Sequence, residues 1–245
     1  MEHVRVESEA GVAVVTLVDV ERRNAMTAQM VDEIVATFDQ LEADSETAAV
    51  VVTGEAPAFC SGADVSSLGA LARAQSDAER RSVTSIYEGF LRVLRSPLPT
   101  IAAVNGPAVG AGMNLALACD VRLAAASARF DTRFVKIGLH PGGGHVWMLE
   151  RAVGPQAAAA MILFGVPVDG ARAAEIGLAW SCHADDELLG AASTLAARAT
   201  RAPVGLLDVV KATLRQAPWQ PDFEAAIATE VERQAWSLGK GWFKT

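Results

Sequence analysis

The chain lacks a basic surplus, a cysteine framework and any long apolar run, and each shortage removes a class of function. Lys and Arg total 21 against 29 Asp and Glu, a formal net charge of −8. No basic face dominates to meet a phosphate backbone, so no nucleic-acid partner is expected. The three cysteines, Cys60, Cys119 and Cys182, are widely spaced and odd in number. They form no disulfide framework, and a cytoplasmic location fits them best. The longest apolar stretch, near 157–164, is far short of the ~20 residues needed to cross a bilayer. Met1-Glu2-His3 carries charge and no apolar h-region, so no secretory signal is expected. Catalytic signatures are missing too. There is no Gly-x-Ser-x-Gly elbow and no Walker loop, and Gly110-x-Gly112 leads to Leu115 instead of a third glycine. What remains is local: basic pairs such as Arg22-Arg23 and Arg80-Arg81, enough for a small phosphorylated ligand.

The 245 residues suit one large domain or a domain with a small appendage, and 51% apolar content allows a substantial core. Strands are predicted at 4–7, 12–18, 49–53, 100–104 and 121–125. Helices are predicted at 27–43, capped by Thr27 with Met30, Ile34, Phe38 and Leu41 on the buried face, and at 76–94, where Ser76 and Glu79 have capping-box spacing. The segment 66–75 between them is ambiguous. Strand, crossover helix, strand recurs at a spacing that points to parallel pairing. From Gly144 onward helical patterns dominate, at 146–153, 156–164, 171–176, 187–198, 204–216 and 223–238, with one strand at 179–182. The reading is an α/β core over 1–184 followed by a helical region over 185–245.

Two glycine-rich turns each follow a β-branched apolar run. The first is Ala58-Phe59-Cys60-Ser61-Gly62-Ala63-Asp64. The second is Val104-Asn105-Gly106-Pro107-Ala108-Val109-Gly110-Ala111-Gly112-Met113-Asn114, which opens an alanine-rich helix through Cys119 and Asp120. Two such turns can aim two backbone N–H groups at one carbonyl oxygen, the arrangement that stabilises an enolate or a tetrahedral oxyanion.

These turns resemble the crotonase superfamily, the enoyl-CoA hydratase/isomerase family. Other segments carry the same resemblance in the same order. They are Arg22-Arg23-Asn24-Ala25-Met26, Ile137-Gly138-Leu139-His140-Pro141-Gly142-Gly143-Gly144 and the stretch 165–177. The resemblance implies a spiral of ββα units, a C-terminal helical region used for assembly into a homotrimer or hexamer, and an acyl-CoA ligand, with CoA as part of the substrate and no separate cofactor. It places the N–H groups of Ala63 and Ala111 on the thioester oxygen, the second helped by a helix N-terminus. It places Arg23 and Ala25 beside the CoA nucleotide, and Ser61, Gly62, Asp64, Val65, Gly110 and Phe134 around the rest of the ligand.

The departures from the family pattern concern acid–base chemistry. Where hydratases carry one glutamate on the central helix, this chain has Asn114. Where they carry a second, alignment on Phe130 and Gly138 puts Phe134. Where several isomerases carry an aspartate after the proline, it has Gly142. Each positioned acid–base group typically contributes ~10²–10⁴ in rate. An enzyme of this kind therefore needs a replacement. His145, with an imidazole suited to proton transfer, is the candidate, followed by His140 before Pro141; the alternative is that one caps local backbone and the other faces solvent. Asn114 either hydrogen-bonds a water or acyl substituent or is an amide satisfied by backbone. Phe134 shapes the acyl pocket. Asp131 is expected at the surface, Lys136 in solvent, and Cys60 and Cys119 in the core rather than as nucleophiles. Trp147 lines the acyl pocket or packs in the core. No metal site is expected, because the histidine spacing is poor for one helix face. The open alternatives are an acyl-CoA enzyme with an altered acid–base set, a non-catalytic acyl-CoA-binding or carrier protein, and a structural or regulatory subunit that uses the trimeric scaffold without ligand.

Overall fold

The chain folds around two sheets of different size, and the contact between them places the glycine turns. The structure, a computed structural model, describes residues 1–64, 76 and 85–243. β1 (Val4–Glu9) and β2 (Val12–Leu17) form an antiparallel hairpin through Ala10-Gly11, where both residues have positive φ. β1 is an edge strand whose later residues are exposed and include Arg5, Glu7 and Glu9, a composition that discourages edge-to-edge pairing. α1 (Ala28–Ala43) begins where the Thr27 side chain accepts a hydrogen bond from the Met30 N–H, and it buries Met30, Ile34, Phe38 and Leu41. It returns the chain to β3 (Ala49–Gly54), parallel to β2 and buried throughout. A strand covered on both faces reads as a continuous apolar run, as Ala-Val-Val-Val does here.

The next described helix is α2 (Tyr87–Arg95); the predicted capping box and first turns of helix 76–94, and the ambiguous stretch 66–75, lie outside the described residues. Two ββα units follow. In each, the first strand joins the large sheet and the second joins a small one. β4 (Thr100–Val104), β5 (Pro107–Val109) and α3 (Ala111–Ala118) form the first unit. β6 (Val121–Ala125), β7 (Arg129–Asp131) and α4 (His145–Leu163) form the second. β8 (Val168–Asp169), α5 (Gly170–Glu175) and β9 (Ser181–His183) complete the sheets, which have the orders β1-β2-β3-β4-β6-β9 and β5-β7-β8. The repeated alternation is a crotonase-like spiral.

Three strands escape the sequence pattern for physical reasons. β5 starts on a proline, β7 is Arg-Phe-Asp, and β8 has two residues, so none offers an apolar run or an alternation. The helices predicted at 146–153 and 156–164 are one element bent at Gly154 (φ 75°), where Pro155 follows.

α6 (Leu188–Ala196) packs on β3, β4 and β6. α7 (Leu206–Gln216) is tied to the core by Lys211 and by Arg215, which lies 3.6 Å from Asp120 and donates to the Ser96 carbonyl at 3.3 Å. The Lys211 ammonium lies 2.6 Å from the Asp120 carboxylate and also donates to the Leu98 carbonyl. α8 (Phe223–Gly239) buries none of its residues, and Phe223, Ile227, Val231 and Leu238 are exposed. Among the described residues no helix is long and apolar enough to cross a membrane.

Candidate functional site

The two glycine turns are docked against each other. Cys60 forms a lone parallel bridge with Ala108 in β5, and Ala63 forms another with Met26. The Cys60 N–H donates to the Pro107 carbonyl and the Val109 N–H returns to the Cys60 carbonyl. The approach is close enough to demand glycine. A Cβ on Gly112 would stand 2.1 Å from the Cys60 oxygen, and one on Gly62 would stand 2.6 Å from the Val109 oxygen and 3.6 Å from the Ala111 nitrogen. Gly62 and Gly110 also have φ of 103° and 53°. Among the described residues neither the Ala63 N–H nor the Ala111 N–H donates a hydrogen bond. Ala111 is the first residue of α3, so its N–H is one of the donors a helix start leaves unpaired.

A cavity of about 610 Å³ opens over these turns. It gathers Arg23, Ala25, Ser61, Gly62, Ala63, Asp64, Gly110, Ala111, Asn114, Phe134, His140 and Gly142. Val65 lies outside the described residues. Four arginines, Arg22, Arg23, Arg129 and Arg133, share the lining with apolar Ile86, Val109, Ile137 and Leu139. The loop bearing Arg22 and Arg23 is held by a residue the sequence reading passed over. Buried Asn24 accepts from the Asp19 N–H at 2.8 Å and donates to the Glu55 and Ala58 carbonyls at 2.9 and 2.7 Å. Arg23 and Asn24 both take positive φ, a conformation asparagine tolerates and arginine adopts only where the surroundings fix it.

His145 stands behind the cavity wall. It is 1% exposed, and its ring lies edge-on to Phe134 with centroids 4.9 Å apart. Its Nδ1 is 2.7 Å from the Asn114 Oδ1, while the Asn114 amide donates to the Gly142 carbonyl at 3.1 Å. Because Oδ1 only accepts, these partners assign the proton to Nδ1 and leave Nε2 as a lone pair. Among the described residues Nε2 is buried without a hydrogen-bond partner. Burial pushes the imidazole down to about 4, so it is neutral at pH 7. Asn114 is thus satisfied by one side chain and one carbonyl, not by backbone alone.

Several expectations about neighbouring side chains need correction. Asp131 is buried at 3% exposure, not at the surface. Its carboxylate accepts from the Arg133 N–H at 3.0 Å and meets Lys136 at 3.4 Å, because β7 aims it inward. Lys136 is therefore paired, not merely solvated. Trp147 neither lines the cavity nor packs in the core. It is 48% exposed and stacks on Trp219 with Arg151 over both rings. Cys60 and Cys119 are buried, and burial pushes both thiols up to about 12, which removes them as nucleophiles. His140 is exposed, with its Nδ1 turned to the Pro141 carbonyl. Tyr87, Ile86 and Arg129 join the cavity unannounced by any motif, since only the fold brings the start of α2 and the start of β7 to one wall.

Known proteins resemble this chain in sequence and fold. Residues 7–235 match the family model described as enoyl-CoA hydratase/isomerase. The chain is 50% identical over 204 residues to the protein described as probable enoyl-CoA hydratase EchA14 of Mycobacterium tuberculosis, covering 83% of this chain and 78% of that one. It is 33% identical over 218 residues to the 1,2-epoxyphenylacetyl-CoA isomerase of Escherichia coli K12, covering 89% and 83%. A Thermobifida fusca YX protein described as an enoyl-CoA hydratase and solved in complex with CoA superposes with a TM-score of 0.86 at 32% identity, over 98% and 94% of the two chains. With its paired sheets and bridged glycine turns, the chain belongs to the enoyl-CoA hydratase/isomerase family.

Proposed function

We propose that this protein binds acyl-CoA thioesters in the cavity and holds the thioester oxygen between the N–H groups of Ala63 and Ala111. One observation carries the reading: two unsatisfied backbone donors from two bridged turns meet at one cavity. An oxyanion hole of this kind stabilises the enolate that forms when charge moves onto the thioester oxygen, and one lost donor typically costs about 10²–10³ in rate. The helix start at Ala111 adds favourable potential. The four arginines give the phosphates of CoA their counter-charges, and the CoA complex of the Thermobifida protein supports that assignment. CoA enters as part of the ligand.

In the catalytic form of the reading, chemistry runs without the usual carboxylates, since Asn114, Phe134 and Gly142 stand at their positions. The neutral His145, fixed in one tautomer by Asn114, supplies the base through its Nε2 lone pair, and Phe134 covers it. A second reading, an acyl-CoA-binding protein without turnover, is favoured by the burial of His145, which is 1% exposed and does not line the cavity. In both readings the exposed apolar residues of α7 and α8 support assembly into a trimer or a pair of trimers.

The test mixes the protein with short- and long-chain 2-enoyl-CoA and follows loss of the conjugated thioester absorbance, with calorimetric titration alongside. Turnover abolished in His145→Ala supports the catalytic reading. Binding without turnover at every chain length supports the second. Absence of binding to any acyl-CoA removes both.

A further inference from the structure

The chain contains a single tyrosine, Tyr87. It is the first residue of α2 and lines the cavity half-buried, its ring held against Phe90 at a centroid distance of 5.6 Å. Its hydroxyl reaches the loop at Gly142. A Cβ on Gly142 would lie 2.4 Å from the Tyr87 oxygen and 3.3 Å from Cζ. The next glycine plays the same part for the other ring: a Cβ on Gly143 would lie 2.5 Å from the Phe90 Cζ. The glycine run therefore lets the loop lie on an aromatic pair, and it gives the space of a side chain at 142 to a phenol.

Three other polar side chains at the cavity, Asn114, Asp131 and His140, have partners. Asn114 is taken by His145 and the Gly142 carbonyl, Asp131 by Arg133 and Lys136, and the His140 Nδ1 by the Pro141 carbonyl. Among the described residues no hydrogen bond engages the Tyr87 hydroxyl. An acyl chain filling the cavity takes water away from that hydroxyl. A buried hydroxyl without a partner is costly, and a site that hydrogen-bonds a ligand oxygen discriminates against the analogue lacking it.

The geometry points to Tyr87 as a specificity-determining residue that donates a hydrogen bond to a second oxygen, a hydroxyl or carbonyl, on the acyl chain of the bound thioester. The inference rests on the acyl-CoA reading above. Tyr87 meets Gly142, whose carbonyl is bound by Asn114, and Asn114 lies one helical turn (about 5 Å) from Ala111 on α3. The hydroxyl and the two N–H groups line the same cavity, so one thioester ligand can meet both.

The experiment is calorimetric titration of wild type, Tyr87→Phe and Gly142→Ala with butyryl-CoA, 3-hydroxybutyryl-CoA and 4-hydroxybutyryl-CoA. In wild type, one hydroxylated thioester is expected to bind about tenfold more tightly than butyryl-CoA, the ratio for one satisfied buried hydroxyl. In Tyr87→Phe, which keeps the ring on Phe90, the three ligands are expected to bind within twofold of one another. Gly142→Ala, whose new methyl displaces the phenol, is expected to lose the preference as well, so a failure of either variant to fold leaves the other to report. Equal binding of all three by wild type, or a preference that survives both substitutions, overturns the role of Tyr87 and leaves the acyl-CoA reading intact. Absence of binding to every thioester overturns both.

Discussion

Replacing Gly112 with alanine tests whether the two glycine turns form one unit. On propensity alone the change should help, because Gly112 lies inside α3 and alanine in a helix interior is worth about 1 kcal/mol over glycine. The structure predicts the opposite sign. The new methyl would stand 2.1 Å from the Cys60 oxygen and 2.7 Å from its carbonyl carbon. These are backbone atoms fixed by the bridge to Ala108, so no side chain can turn aside to relieve the overlap. Overpacking a fitted site costs about 1–3 kcal/mol, and a rigid backbone contact belongs at the upper end. The net expectation is a loss of about 2 kcal/mol, or roughly 4–8 °C in Tm for a chain of this size. The turns must also separate by about 1 Å, a misplacement that can cost about 100-fold in function. The assay is urea unfolding with acyl-CoA titration, using Gly190→Ala as the reference. Gly190 lies in α6 with open space around its Cβ position, so the same chemical change there should stabilise. A Gly112→Ala protein as stable as wild type with unchanged ligand affinity would refute the docking of the turns.

Other expectations follow from the same packing. The unfolded chain binds a proton at His145 near pH 6.5, whereas the native imidazole resists protonation down to about 4. Stability should therefore fall as pH drops through that window, by about 2 kcal/mol between pH 7 and pH 5, and the loss should be smaller in His145→Asn, as urea unfolding at the two pH values would show. Asn24→Ala leaves the Asp19 N–H and two carbonyls without their partner and puts alanine at a positive φ. A loss of about 3–4 kcal/mol is expected, together with weaker binding of CoA itself in calorimetry. Lys211→Met removes the nearer of the two cations that tie α7 to Asp120 and leaves Arg215 at 3.6 Å. Because Asp120 is about one-third exposed and keeps Thr100, the expected cost is about 2 kcal/mol by chemical denaturation.

The middle of the large sheet was legible because β3 and β4 are buried on both faces and show as runs such as Ala-Val-Val-Val. α1 was legible because Thr27 caps it and four apolar residues repeat at helical spacing. The small sheet left no such trace, since its strands are two or three residues long and include Pro107, Arg129 and Asp169. It is nevertheless the element that brings Cys60 to Ala108. At the site, the glycine turns could be read because close backbone approach requires glycine. The environment of each side chain could not. Asp131 looks like a surface carboxylate until β7 turns it inward, and Tyr87 looks like one aromatic on a helix until Gly142 is laid against it. Nothing in the spacing of Asn114 and His145 announces that they share a proton, because the hydrogen bond spans a loop whose path only the fold determines.

The most direct test of the account is the vibrational spectrum of a bound thioester. Crotonyl-CoA labelled with ¹³C at the carbonyl would be bound to the protein and its carbonyl stretch compared with that in water. Two backbone donors aimed at the oxygen predict a carbonyl shifted to lower frequency, with the shift reduced in Gly112→Ala. A bound ligand whose carbonyl is unshifted would contradict the assignment of Ala63 and Ala111 to the thioester oxygen.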